Sequence, residues 1–161
     1  MFGISTYCLH DQALESALET LSALTGYIEV MDEGLHHLQN ADLLKEFSVR
    51  YSIHAPSRGT NLASLLEPIR RASVEVMADC FRIAGEVGAP VVLHPGYFAW
   101  QEEQKKAEQQ LARSLEELRA HAAEFSVSFL VENMGDWDYF LLKCPQELPL
   151  IGSTPYALDV G

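Results

Sequence analysis

The sequence predicts an α/β fold, a parallel β/α barrel of TIM type, and three observations carry that prediction. Short runs of β-branched and aliphatic residues alternate with longer helical patterns, the signature of βαβ units around a parallel sheet. Four of those runs end on a ligand-type side chain: His54, His94, Glu132 and Asp159. No G-x-G-x-x-G or P-loop marks the nucleotide crevice of an open doubly wound sheet. In a parallel sheet with helical crossovers every carboxyl end lies on one face, so the four side chains are expected to converge there.

The elements follow in order. Residues 2–7 read as a first strand, with Gly3 inside it. Asp11 is expected to cap a helix whose apolar positions Leu14, Ala17, Leu18, Leu21 and Leu24 keep helical spacing, with Gly26 as its stop. Residues 27–31 form a second strand that turns through Asp32, Glu33 and Gly34. Asn40 is positioned to cap a short helix over 41–47, which leads into a third strand at 49–54 ending on His54. Asn61 reads as a helix cap rather than a substrate contact; Pro68 starts a long helix and Gly88 ends it.

The run Val91-Val92-Leu93-His94-Pro95-Gly96 is a buried strand delivering an imidazole into a Pro-Gly turn. Tyr97, Phe98 and Trp100 then precede a polar helix over 101–124 with one apolar stripe, Leu111, Leu115 and Leu118. A fifth strand at 127–132 carries Glu132, and a helical segment is expected to begin near Asp136. A proline-rich stretch leads to a sixth strand at 156–159 that carries Asp159. That makes about six of the eight strands of a barrel, within one domain over residues 1–161. A closed eightfold barrel takes about 250 residues.

Composition narrows the partners. With 23 acidic against 11 basic residues the net charge is −12, which repels nucleic-acid phosphates. The two basic pairs, Arg70-Arg71 and Lys105-Lys106, fall in helical patterns and read as solvated charge. Cys8, Cys80 and Cys144 are odd in number and widely spaced, which suits a reducing compartment, and no apolar run approaches 18 residues, so a soluble cytoplasmic protein is expected.

Two imidazoles and a carboxylate make an N/O donor set suited to a first-row divalent metal such as Zn or Mn. Three protein ligands leave positions open for water or substrate. One histidine at a strand end is commonly a hydrogen-bonded structural residue; four ligand-type residues at equivalent ends point to a shared site. His10, His36 and His37 lie in loops at the same face, but adjacent histidines point apart, and His121 sits on the polar helix, where solvation is expected. Tyr97, Trp100 and Trp137 suit either a lid or core packing, and Glu29 either a barrel mouth or an exposed position.

The ordered set His54-Ala55-Pro56, Asn61-Leu62, Val91 through Gly96, Leu130-Val131-Glu132-Asn133 with Gly135, and Leu158-Asp159 resembles the endonuclease IV / xylose isomerase-like barrel superfamily, also called AP endonuclease family 2. The resemblance covers essentially the whole chain. It implies an eightfold β/α barrel and activities ranging from AP endonuclease to sugar or sugar phosphate isomerase and epimerase. It also implies that His54, His94 and Glu132 hold one metal, with Glu132 bridging to a second that Asp159 helps to hold. The family usually places a histidine three residues after that aspartate, and a seventh and an eighth strand beyond it; the sequence here stops two residues after Asp159.

Three functions follow as expectations. The first is a metal-dependent sugar or sugar phosphate isomerase/epimerase, in which Glu132 or a carboxylate outside the sequence moves the proton. The second is an endonuclease IV-like phosphodiesterase acting on DNA, which the acidic charge disfavours. The third is a non-catalytic fragment or a scaffold, a homo-oligomer that closes its open sheet edges by self-association. For the chain as it stands, little activity is expected.

Overall fold

A computed structural model describes residues 2–135 and 138–160. Six parallel strands pair in strict sequence order. They are β1 (Ile4–Ser5), β2 (Tyr27–Met31), β3 (Arg50–His54), β4 (Val91–Leu93), β5 (Phe129–Glu132) and β6 (Tyr156–Ala157). Among the described residues nothing joins β1 to β6, so the sheet is an open arc, the barrel architecture without closure. Four α-helices lie between strands: α1 (Leu14–Ser22), α2 (Asp42–Lys45), α3 (Glu67–Val87) and α4 (Gln104–Phe125).

Register decides which face each side chain joins. Ile28 is paired with Tyr51, Ile53 with Val91, and Val91 with Phe129. These residues and their alternates Val30, Leu93 and Val131 are buried under the helices. The opposite set, through the pairs Glu29 with Ser52, His54 with Val92, and Glu132 with Ala157, lines the concave face. The sheet thus uses period two to send one aliphatic set outward to the helices and to gather Glu29, Ser52, His54 and Glu132 on the inner face, beside Val92 and Ala157.

The long helices stop where the sequence says they should. Pro68 sits in the first turn of α3, and Gly88 ends it with a left-handed backbone at φ 64°. Leu111, Leu115 and Leu118 of α4 are fully buried, as one stripe of a polar helix should be. Asn40 is not the cap of α2: Ala41 holds that position without a side-chain bond, and Asn40 Oδ1 accepts the Asp42 amide at 3.0 Å in a turn just before the helix, which is shorter than its pattern suggests.

Other expectations are corrected. The first strand gives way after Ser5 to a 3-10 turn, Thr6–Leu9, because Ser5 Oγ accepts the Tyr7 amide and Thr6 turns into the core. Helix α1 starts from Ala13 without a side-chain cap, leaving Asp11 exposed, and it ends at Ser22, so Leu24 is 69% exposed. Arg70 is not solvated: it is 1% exposed, and its guanidinium donates to Glu67, Glu117 and Ser114 Oγ at 2.9 to 3.0 Å. Ser114 in turn donates to Leu62 O at 2.8 Å, so this one cation ties α3 to α4 and to the loop after β3. The helix expected near Asp136 and the lid residue Trp137 fall outside the described residues.

His36 is a buried node of the fold, 2% exposed. Its Nε2–H donates to Gln12 O at 3.1 Å, which leaves Nδ1 to accept the Thr6 hydroxyl at 3.1 Å. Thr6 Oγ1 also accepts the Met31 amide at 3.0 Å. One hydroxyl therefore joins the ends of β1 and β2 to the loop that follows. Thr6→Val keeps the shape and strands both partners, so urea unfolding should show a loss of about 1–3 kcal/mol; unchanged stability would mean that water satisfies both groups.

Candidate metal centre

His54 is the last residue of β3, His94 follows β4 directly, and Glu132 is the last residue of β5. Three consecutive strands thus present three ligand-type side chains at one rim. Glu132 Oε2 accepts from His54 Nε2 at 3.2 Å and from His94 Nε2 at 3.1 Å. The two rings meet edge to face, centroids 4.9 Å apart and planes at 88°. One donor atom from each of the three lies within 4.8 Å of the others, and among the described residues no other group of His, Cys, Asp or Glu does this.

Backbone pairing continues past the end of β3 and fixes His54. Asp32 N donates to His54 O at 3.0 Å, and Ala55 N to Val92 O at 2.8 Å. His54 Nδ1 donates to Ala55 O at 3.0 Å, so its Nε2 is the nitrogen turned to the centre. That arrangement suits a metal, because a ligating imidazole holds its second nitrogen in a hydrogen bond. The donor set of two imidazoles and one carboxylate fits a divalent first-row ion.

The electrostatics fit as well. Burial alone would raise the Glu132 carboxyl, but the hydrogen bonds from His54 and His94 and their charges outweigh it and bring it to about 2. Burial likewise opposes charge on His54, while Glu132 and, at longer range, Glu29 favour it, and the net direction is upward. Glu29, two strands from β4 on the concave face, therefore belongs to the electrostatic surroundings of the site.

Asp159 follows Ala157, the register partner of Glu132, by two positions and is exposed. It lies outside the three-residue group. Its backbone is held by Asn133: the Asp159 amide donates to Oδ1 at 2.8 Å, and Nδ2 donates to Asp159 O at 2.9 Å. His37 is turned away to Asp32 at 2.9 Å, while His36 serves the fold, so the adjacent pair does point apart. His10 bonds Tyr7 O at 3.1 Å and is exposed, and His121 faces Glu124 at 3.7 Å.

Side chains that sequence reasoning assigns to a turn and to a helix cap hold the rim. Glu33 accepts from the Ser57 amide and hydroxyl and from the Arg58 amide, so it grips the loop just after His54-Ala55-Pro56. Burial would raise its carboxyl, and those bonds, led by the Arg58 amide, lower it instead. Asn61 is not a helix cap; it bridges to Tyr97 in the loop after His94. The signal for Asn61 in the sequence is its place with Leu62 in the set of residues that carries the resemblance, and Glu33 offers none beyond its position in the turn after β2. Beyond Tyr97, an apolar cleft of about 370 Å³ is lined by Tyr97, Phe98, Ala99, Tyr139 and Phe140. Trp100 is 65% exposed and outside that lining.

A parallel β/α sheet wound in sequence order, with two imidazoles and a carboxylate at its carboxyl rim, defines a protein of TIM-barrel type. Residues 29–149 match the sequence pattern of one such family, and the chain belongs to it: the xylose isomerase-like TIM barrel family. It is 32% identical to the uncharacterized protein MJ1614 of Methanocaldococcus jannaschii, over 99% of this chain and 66% of that one. Among solved structures it is similar to a D-tagatose 3-epimerase-like protein, with a TM-score of 0.85, 26% identity, and coverage of 98% of this chain and 62% of that chain. It is also similar to a Thermus thermophilus protein soaked with zinc chloride, with a TM-score of 0.63, 25% identity, and coverage of 82% and 55%. The chain therefore spans less than two thirds of the length of each of these proteins. No helix among the described residues is long and apolar enough to cross a membrane.

The ionic group predicts a pH dependence for the metal-free protein. A carboxyl lowered from 4.5 to about 2 contributes stability above its unfolded value and loses it as pH falls toward 2. An imidazole raised above 6.5 contributes below that value and loses it as pH rises through its folded pKa. The group should therefore stabilise most between about pH 4.5 and 6.5. Urea unfolding of wild type and Glu132→Gln should diverge most in that window and converge at lower pH; parallel curves would refute it.

Proposed function

We propose that this protein is a metal-dependent sugar or sugar phosphate isomerase or epimerase, with His54, His94 and Glu132 as ligands of a divalent ion, Zn or Mn. The observation that carries the reading is the shared Glu132 Oε2, 3.2 and 3.1 Å from two imidazole nitrogens on neighbouring strands. An epimerase-like protein among the similar structures supports the sugar class. Asp159 is the proposed contributor to a second ion, with Glu132 shared between the two; its support is the Asn133 pairing that holds its backbone beside the strand end bearing Glu132.

A divalent ion held there supplies a Lewis acid for a carbonyl or hydroxyl oxygen of the sugar. The chain's own residues do the rest. His54, 6% exposed at its side chain, is fixed by its Ala55 bond and keeps one direction. His94 and Glu132, 25% and 21% exposed, face the open side from which a sugar would arrive. Glu132 is held ionised and is a weak base while both imidazoles donate N–H to it, and it becomes a better base for a substrate proton when those donors are withdrawn from it. The apolar cleft beside Phe140, whose ring lies 6.2 Å from that of His94, offers a surface for the C–H face of a sugar.

Metal content of the purified protein, measured by inductively coupled plasma mass spectrometry, should reach at least about one Zn or Mn per chain. His94→Ala should lose at least about tenfold in metal affinity. Unchanged metal content in that variant would remove the site. For the chemistry, deuterium exchange from solvent into a ketohexose is the direct readout, expected with wild type and lost in Glu132→Gln; exchange surviving in that variant would take Glu132 out of proton transfer.

A further inference from the structure

Asn61 is 7% exposed, and its side chain is engaged at both ends. Its Nδ2 donates to Tyr97 O at 2.9 Å, and its Oδ1 accepts the Tyr97 amide at 3.0 Å. The same oxygen accepts the Ala63 amide at 3.0 Å, and the Asn61 backbone amide donates to Ser73 Oγ at 2.8 Å. Ser73 is anchored in turn on Ile69 O within α3. The side chain thus closes a two-bond ring with both backbone groups of one residue, as a neighbouring strand would do.

Tyr97 lies three residues after His94, and the chain between them is Pro95-Gly96. Gly96 shows how close the approach is. Its φ is +93°, and a Cβ there would stand 2.5 Å from Asn61 Oδ1 and 2.7 Å from the Ala63 amide nitrogen. Only glycine lets the two loops meet. Asn133 makes the same ring with Asp159 one strand further on, so the device occurs twice on this rim. In each case parallel pairing has run out and a carboxamide stands in for the missing peptide.

We infer that Asn61, seated against Gly96, is a positioning residue for the metal centre: it pins Tyr97 and so fixes the short turn that aims His94 Nε2 at Glu132. The inference rests on the metal reading above. It deepens that reading by assigning the His94 orientation to a side chain outside the donor set. A carboxamide is required because the task needs one donor and one acceptor held in one plane. Aspartate keeps the acceptors but sets an oxygen against Tyr97 O.

The experiment compares wild type, Asn61→Ala, Asn61→Asp and Gly96→Ala, with Leu18→Ala, a fully buried position of α1, as a control in the helical layer. Zinc affinity is read by competition with a chromophoric chelator, and exchange of the Tyr97 amide is read by NMR in the metal-free proteins. Asn61→Ala and Gly96→Ala should weaken zinc binding by about tenfold or more and speed Tyr97 exchange. Leu18→Ala should lower the melting temperature and leave zinc affinity unchanged, which separates positioning from general destabilisation. If Asn61→Ala does not fold, Asn61→Asp and Gly96→Ala carry the test with the same expectation. Zinc affinity within about twofold of wild type in the folded Asn61 and Gly96 variants, well short of the tenfold expected for a lost supporting contact, overturns the positioning role, whether or not Tyr97 exchange changes. A wild type that binds no zinc, or a His94→Ala variant that binds it as wild type does, overturns the metal reading itself and is visible before any Asn61 variant is made.

Discussion

Parallel pairing in sequence order constrains everything else in this protein. Because β1 through β6 all run the same way, each strand's carboxyl end arrives at one rim, and period two then chooses a face for every residue. Ile53 and His54 are neighbours in sequence, yet one packs under helices and the other points into the concave face, together with Glu132. A slip of one residue in β3 or β5 would exchange these roles and bury a charge in the aliphatic layer.

The polar groups on that face are tolerated only because they satisfy one another. Two imidazoles converge on one carboxylate oxygen, and the hydrogen bonds outweigh the desolvation that partial burial imposes on Glu132. Elsewhere the same requirement is met by different means. Arg70 is buried between α3 and α4, but its partners Glu67 and Glu117 remain about two-fifths exposed, so only one of three charges is removed from water. His36 needs no charge at all, with one nitrogen donating and one accepting.

Beyond the strand ends the rim is held by side chains rather than by ladder bonds. Glu33 grips Ser57 and Arg58, Asn61 grips Tyr97, and Asn133 grips Asp159. Backbone contacts between Gly96 and Leu141 and between Phe98 and Tyr139 join the loops after β4 and β5. Binding loops on this class of fold need such rigidity, since a scaffold fixes only where a loop begins and returns.

Strand order, the long helices and the residues His54, His94 and Glu132 are legible in the sequence, because each depends on local pattern: aliphatic runs, caps such as Pro68 and Gly88, and a ligand-type residue at the end of a run. Contacts between residues far apart in the chain are not. Arg70 reads as half of a solvated basic pair until α4 supplies Glu117 and Ser114. Asn61 reads as a cap until Tyr97, 36 residues on, fills both ends of its amide. Thr6 reads as part of a strand until His36 and Met31 claim its hydroxyl. By itself the sequence determined the alternation and the ligand types, since propensity and periodicity act over a few neighbours. The tertiary structure alone decided which of those side chains meet, since hydrogen bonds form between atoms about 3 Å apart, wherever the chain has brought them.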